Sequence, residues 1–105
     1  MIEGLERLLA KGTDSPELRF GLGKAYLERQ EAERAVAHLR ACVTHKQGYS
    51  AAWKLLGKAY QAQGDAVAAA DAWRQGIAAA QQGGDKQAEK EMQVFLRRLE
   101  KIREG

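Results

Sequence analysis

Apolar and small residues recur at every third or fourth position through nearly the whole chain, and they alternate at every second position almost nowhere. That is the period of the α-helix. The pattern divides the chain into six helical stretches, at about 2–11, 16–29, 32–46, 50–63, 66–81 and 86–103. The breaks between them carry the residues that start and stop helices. Asp14-Ser15-Pro16-Glu17 offers a capping side chain, a proline whose missing N–H costs nothing in the first turn, and an acid at the positive helix end. Gly48 closes the third stretch, and Ser50 is available to cap the fourth. Gly64-Asp65 makes a tight turn, and Gly83-Gly84-Asp85 ends the fifth stretch and caps the sixth. Arg29-Gln30-Glu31 is the one break with no glycine to turn on.

The stretches also repeat. Trp53, Leu56, Gly57 and Tyr60 share one helical face, and Ala69, Trp73, Gly76 and Ile77 share a face of the next helix. Displaced by 34 residues, Leu22, Gly23, Tyr26, Ala35, Leu39, Cys42 and Val43 fall on Leu56, Gly57, Tyr60, Ala69, Trp73, Gly76 and Ile77, large on large and small on small. Displaced the other way, Leu39, Cys42 and Val43 fall on Leu5, Leu8 and Leu9. The pattern Trp-x2-Leu-Gly-x2-Tyr followed by Ala-x3-aromatic is that of a helix–turn–helix repeat. On these residues the chain resembles the tetratricopeptide repeat (TPR) family. The resemblance implies an all-α fold, a short right-handed α-solenoid of antiparallel helix pairs. It divides residues 1–105 into a half-repeat helix (2–11), two repeats (15–48 and 49–82) and a capping helix (85–104). In the last helix Ala88, Met92, Phe95, Leu96, Leu99 and Ile102 share one side, yet no residue there recreates the Leu-Gly-x2-Tyr set.

Two helix axes approach closely only where a side chain is small, so Gly23 and Gly57, with Ala35 and Ala69 on the facing helices, are expected to be packing points. A mid-helix glycine costs about 1 kcal/mol relative to alanine, so its recurrence in register needs such a reason. One signature position departs from the pattern: Arg19 stands where the second repeat has Trp53, with Phe20 beside it. Either the first repeat's helix rotates slightly, or Phe20 is an exposed contact.

Composition narrows the functions. The 105 residues form one small domain whose single cysteine excludes an internal disulfide. Seventeen Lys and Arg against fourteen Asp and Glu give a charge of +3 and a pI near 9.2, mildly basic with both signs interspersed. No apolar run reaches the roughly 18 residues of a membrane span. The N-terminus has no basic segment followed by an apolar core of the kind that directs secretion, so a cytoplasmic location is expected.

Lys54, Lys58 and Gln61 lie on one flank of the fourth helix, and Phe20, Lys24 and Leu27 on the corresponding flank of the second. The resemblance implies that this flank faces a concave groove where peptides lie. Phe20, Lys24, Leu27, Lys54, Lys58 and Gln61 are therefore the expected contacts of a protein or peptide partner, and the lysines favour one bearing carboxylates. One subfamily grips a C-terminal carboxylate with lysines and asparagines, and this chain has no asparagine. No metal, cofactor or small-molecule substrate is expected, and no enzymatic activity. His38 and His45 are seven residues apart, the wrong spacing to share a metal, and Cys42 reads as a small packing residue. The glycines at 21 and 23 lie inside a helix and make no phosphate loop. In the last helix Lys86, Lys90, Arg97, Arg98, Lys101 and Arg103 are basic, but Glu89, Glu91, Glu100 and Glu104 interrupt them, which reads as a solvated face. The expected function is a protein–protein interaction module or adaptor with a basic groove. The alternative is a structural, self-assembling subunit, including a homodimer through an exposed helix edge; nucleic-acid binding rests on the pI alone and is disfavoured, and no membrane contact is expected.

Overall fold

Six helices follow in order in the computed structural model, which describes residues 1–104: α1 (Ile2–Ala10), α2 (Pro16–Glu28), α3 (Ala32–His45), α4 (Ser50–Ala62), α5 (Ala66–Gly83) and α6 (Lys86–Glu104). Among the described residues there is no strand, and the helix ends lie within two residues of those read from the periodicity. Each helix packs on the next, and α2 also meets α4, as α4 meets α6. The even-numbered helices therefore make an inner layer and the odd-numbered ones an outer layer. The stack is elongated, 46 × 29 × 18 Å.

The hairpins close on glycine. Leu39 of α3 lies against the bare backbone of Gly23 in α2, and Trp73 of α5 against that of Gly57 in α4; a Cβ at either glycine would sit inside the partner side chain. Leu39 and Trp73 are almost completely buried. At Gly57 the approach also makes a hydrogen bond, because the Trp73 indole Nε1–H donates to the Lys54 carbonyl at 3.1 Å. The glycine at 76 does the same for the next contact: a Cβ there would lie 2.6 Å from that of Trp53 and against the Met92 sulfur. Ala35 and Ala69 are fully buried, as their small size requires.

The signature tyrosines sit next to corresponding positions of the repeat, Tyr26 buried and Tyr60 half-buried. Tyr26 donates its hydroxyl to Glu6 on α1 and stacks on His38 of α3, with centroids 5.5 Å apart. Tyr60 borders a surface hollow together with Arg40 of α3 and Ala72 of α5, which are the positions of Glu6 and His38 advanced by one repeat. Arg19 is tied down much as Trp53 is. It stands where Trp53 stands and is likewise tied to the loop before its helix: the guanidinium bonds both oxygens of Asp14 (2.9 and 3.0 Å), while the Trp53 indole donates to the Gln47 carbonyl at 2.8 Å. Phe20 is half-buried and stacked on Tyr49, with centroids 5.0 Å apart.

The loops correct one expectation and explain another. Ser15 caps α2 by accepting from Leu18, as read from sequence, and Asp65, read only as part of a tight turn, also caps α5 by accepting from Ala68. Ser50 caps nothing. It is the first residue inside α4, buried, and its hydroxyl donates to Asp85 at 2.8 Å. Asp85 meanwhile accepts the Ala88 N–H with its other oxygen, so one carboxylate both starts α6 and fastens it to α4. The break without glycine uses the same turn as its glycine-bearing counterpart. Gln30 has φ 64° and Gly64 φ 79°, and the N–H of Glu31 and of Asp65 reaches back to the carbonyl of Tyr26 and of Tyr60 at 2.9 Å in each case. Backbone bonding imposed this conformation on a residue that does not favour it. Gln30→Gly is therefore expected to stabilise the fold by about 1 kcal/mol. Thermal unfolding followed by circular dichroism should show the midpoint rise by several degrees; an unchanged or lower midpoint would contradict the assignment.

Candidate functional site

The inner layer carries a pocket of about 440 Å³ lined by Leu27 of α2, Lys58 and Gln61 of α4, Trp73 of α5, and Phe95 and Arg98 of α6. Its apolar side chains come from three different helices, and two cations, Lys58 and Arg98, share the lining. The Lys58 ammonium lies 4.8 Å from the centroid of the Phe95 ring. Such a contact holds a lysine near an aromatic face without neutralising it.

Of the residues expected from sequence, Leu27, Lys58 and Gln61 are thus brought together. Lys54 sits one turn from Lys58 but is engaged: its Nζ lies 3.0 Å from Glu91 of α6, and its side chain is only 24% exposed. It is a strut between α4 and α6 more than a free charge. Phe20 packs against Tyr49, and Lys24 is exposed on α2; neither lines the pocket. Phe95 and Arg98 had been assigned to the apolar and charged sides of the last helix, with no place in the groove. The signal that locates them is the cap. Counted from Tyr49 and Asp85, which precede α4 and α6, the last helix is displaced two residues from the 34-residue register. Ala88 and Met92 then match Ala52 and Leu56, all four buried, and α6 supplies the next inner-layer face.

A second polar cluster joins α1, α2 and α3. Arg19 donates to His38 Nδ1 at 3.1 Å, so the ring proton is on Nε2, which faces Glu6 at 3.7 Å. Burial lowers the His38 pKa; Glu6 and Asp14 oppose that shift and Arg19 adds to it. Burial, with Glu6, raises the Tyr26 hydroxyl. Burial also pushes the Cys42 thiol up to about 11, which keeps it un-ionised and un-nucleophilic at neutral pH. Among the described residues no group of three or more His, Cys, Asp and Glu side chains could hold a metal ion, and no helix is long and apolar enough to cross a membrane.

Helix hairpins seated on glycine, stacked so that alternate helices share one recessed face, make the molecule an α-solenoid of the kind that presents a groove to other chains. The relatives specify which kind. A TPR repeat-containing protein of Pseudomonas aeruginosa is 62% identical over 103 residues, covering 98% of each chain. A Bordetella parapertussis protein of known solution structure is 52% identical, with a TM-score of 0.84 over 97% of this chain and 89% of that one. The crystal structure of a tetratricopeptide repeat domain protein from Salinibacter ruber is 27% identical, with a TM-score of 0.79 over 85% of this chain and 99% of that one. No family profile matches the chain. The chain belongs to the tetratricopeptide repeat family. Proteins of this family are generally non-enzymatic scaffolds, and their repeats typically mediate protein–protein contacts.

The two polar ties set the pH response. Asp14, through Arg19, and Asp85, through the Ala88 N–H and Ser50, are held below the usual 3.8, so the folded form takes up these protons less readily than the unfolded chain. Their stabilisation is complete above that value and is lost as pH falls through the folded pKa. His38 is held below the usual 6.5, so the unfolded chain is protonated first and stability also falls as pH drops below 6.5. The thermal midpoint is expected to decline in two stages, the first weakened in His38→Gln and the second in Asp85→Asn. A midpoint flat from neutrality down to about pH 4 would contradict the His38 assignment.

Proposed function

We propose that the protein is an adaptor that binds a peptide or partner protein on its inner layer, at the pocket between α2, α4 and α6, and that the bound segment is acidic. The observation that supports this is the convergence of Leu27, Lys58, Gln61, Phe95 and Arg98 around one recess, with Lys58 and Arg98 both exposed. Apolar walls from Leu27, Phe95 and Trp73 suit a hydrophobic side chain, and the two cations suit a carboxylate next to it. Gln61 adds a donor and an acceptor at the rim. Lys54 contributes indirectly by clamping Glu91, which keeps that carboxylate from Lys58 and holds α6 in place as the third wall. Phe20 and Lys24 extend the same face of α2 and are contacts only for a partner longer than the recess.

A library of short synthetic peptides, screened by fluorescence polarisation, tests the reading. Binders are expected to combine an acidic residue with a neighbouring aromatic or aliphatic one. Lys58→Glu with Gln61→Glu should weaken them by at least about tenfold, the loss of a charge-assisted hydrogen bond. Binders that hold the variant as tightly as the parent, or none in the library, would reject the recess.

A further inference from the structure

The carboxylates of α6 do not face where its sequence suggests. Glu91 turns to Lys54 of α4 at 3.0 Å, Glu100 to Arg74 of α5 at 3.0 Å, and Glu89 accepts from Gln81 of α5 at 2.9 Å. These acids reach partners on the body of the protein, although Glu100 also borders the hollow lined by Val94, Arg97, Arg98 and Lys101; the side chain of Glu104 lies outside the described residues. At about 100° per residue, Lys86, Arg97, Lys90, Lys101 and Arg98 fall within roughly 120° of the opposite surface, around Val94. All five are exposed, and no described acidic residue pairs with any of them. The result is a cationic strip about 22 Å long and about 12 Å wide along the end of the stack. Arg98 alone borders both this strip and the recess.

The geometry points to a second interaction surface on this strip, taking an acidic protein segment as its partner. The width selects the occupant. Glu89 and Glu91 edge the strip on opposite sides, and Glu100 lies on the Glu89 side. A single polypeptide fits between those edges, whereas a nucleic-acid duplex is broader and would bring its phosphates over the carboxylates. The strip offers no aromatic side chain on which unpaired bases could stack. It offers no exposed apolar row to enter a lipid surface, since Val94 is half-buried and the apolar side of α6 packs on α5. A run of Asp and Glu, by contrast, meets a cation at nearly every turn. Individual exposed ion pairs contribute little, so the partner requires several in succession and its binding weakens with salt. This surface does not rest on occupancy of the recess.

The test uses a fluorescein-labelled peptide of about 16 residues, rich in Asp and Glu and free of aromatics, measured by anisotropy at about 50 and about 150 mM salt. Lys90→Glu with Arg97→Glu and Lys101→Glu is expected to weaken binding at least about tenfold. The charge-matched set Arg7→Glu, Lys11→Glu and Arg40→Glu, distant from α6, and the pair Lys58→Glu with Gln61→Glu should each change it less than about threefold. Should the glutamate set fail to fold by circular dichroism, Lys90→Gln with Arg97→Gln and Lys101→Gln is expected to weaken binding as well, by a smaller factor because no charge is reversed. Equal losses in the two charge-matched triples would reduce the effect to net charge and overturn the proposal. So would unchanged binding in the α6 variants, no binding at the lower salt, or tighter binding of a single-stranded RNA of similar length or of anionic vesicles.

Discussion

Everything in this molecule hangs on a large side chain resting against a helix that has no side chain at the point of contact. Leu39 on Gly23 and Trp73 on Gly57 are the same contact made twice. Each brings two helix axes close enough for dense packing, and for Trp73 it also brings an indole N–H to a main-chain carbonyl. A mid-helix glycine is locally unfavourable by about 1 kcal/mol, and burying a large side chain in contact on all sides more than offsets it. Because the contact recurs at a fixed interval, the hairpins meet successive neighbours in the same orientation. A shared inner face follows, with no further instruction needed.

The inner face is completed by a helix that does not follow the repeat. α6 lacks the signature glycine: Gln93 stands where Gly57 stands in α4 once the two-residue displacement is allowed for. Its attachment is therefore of a different kind. Met92 enters against Gly76, Asp85 bonds Ser50, and Glu91 and Glu100 reach Lys54 and Arg74. These polar ties determine which charges remain outward. They engage Glu91 and Glu100 of α6 with one lysine of α4 and one arginine of α5, leaving Lys58 and Arg98 exposed at the recess and Lys86, Lys90, Arg97 and Lys101 exposed on α6. The electrostatic character of the surface is thus a consequence of how the last helix is fastened.

The helices, their order and their packing points were legible because they depend on periodicity and on residue size, both of which the sequence displays directly. Even Gln30 was placed in the correct break, although nothing in its chemistry announces a left-handed residue; the equivalence with Gly64 does. The candidate site was legible only on α2 and α4. Leu27, Lys58 and Gln61 converge as their helical flanks imply, whereas Lys54 is engaged by Glu91, a partner 37 positions away that no local pattern links to it. Phe95 and Arg98 were hidden because the two-residue displacement at Gly83-Gly84 breaks the register by which equivalent positions are found. Side-chain pairing across helices is tertiary information, and the ties of Glu89, Glu91 and Glu100 to α4 and α5 were hidden for the same reason.

The glycine contact can be tested by adding one methyl group at a time. Gly4 lies in α1 with nothing near its missing Cβ, while the positions at Gly23 and Gly57 are filled by Leu39 and Trp73. Chemical denaturation of three alanine variants should show Gly4→Ala gaining about 0.5–1 kcal/mol from helix propensity. Gly23→Ala and Gly57→Ala should each lose about 1–3 kcal/mol from overpacking. If alanine at 23 and 57 were tolerated as well as at 4, the hairpins would not be held by this contact and the account would fail.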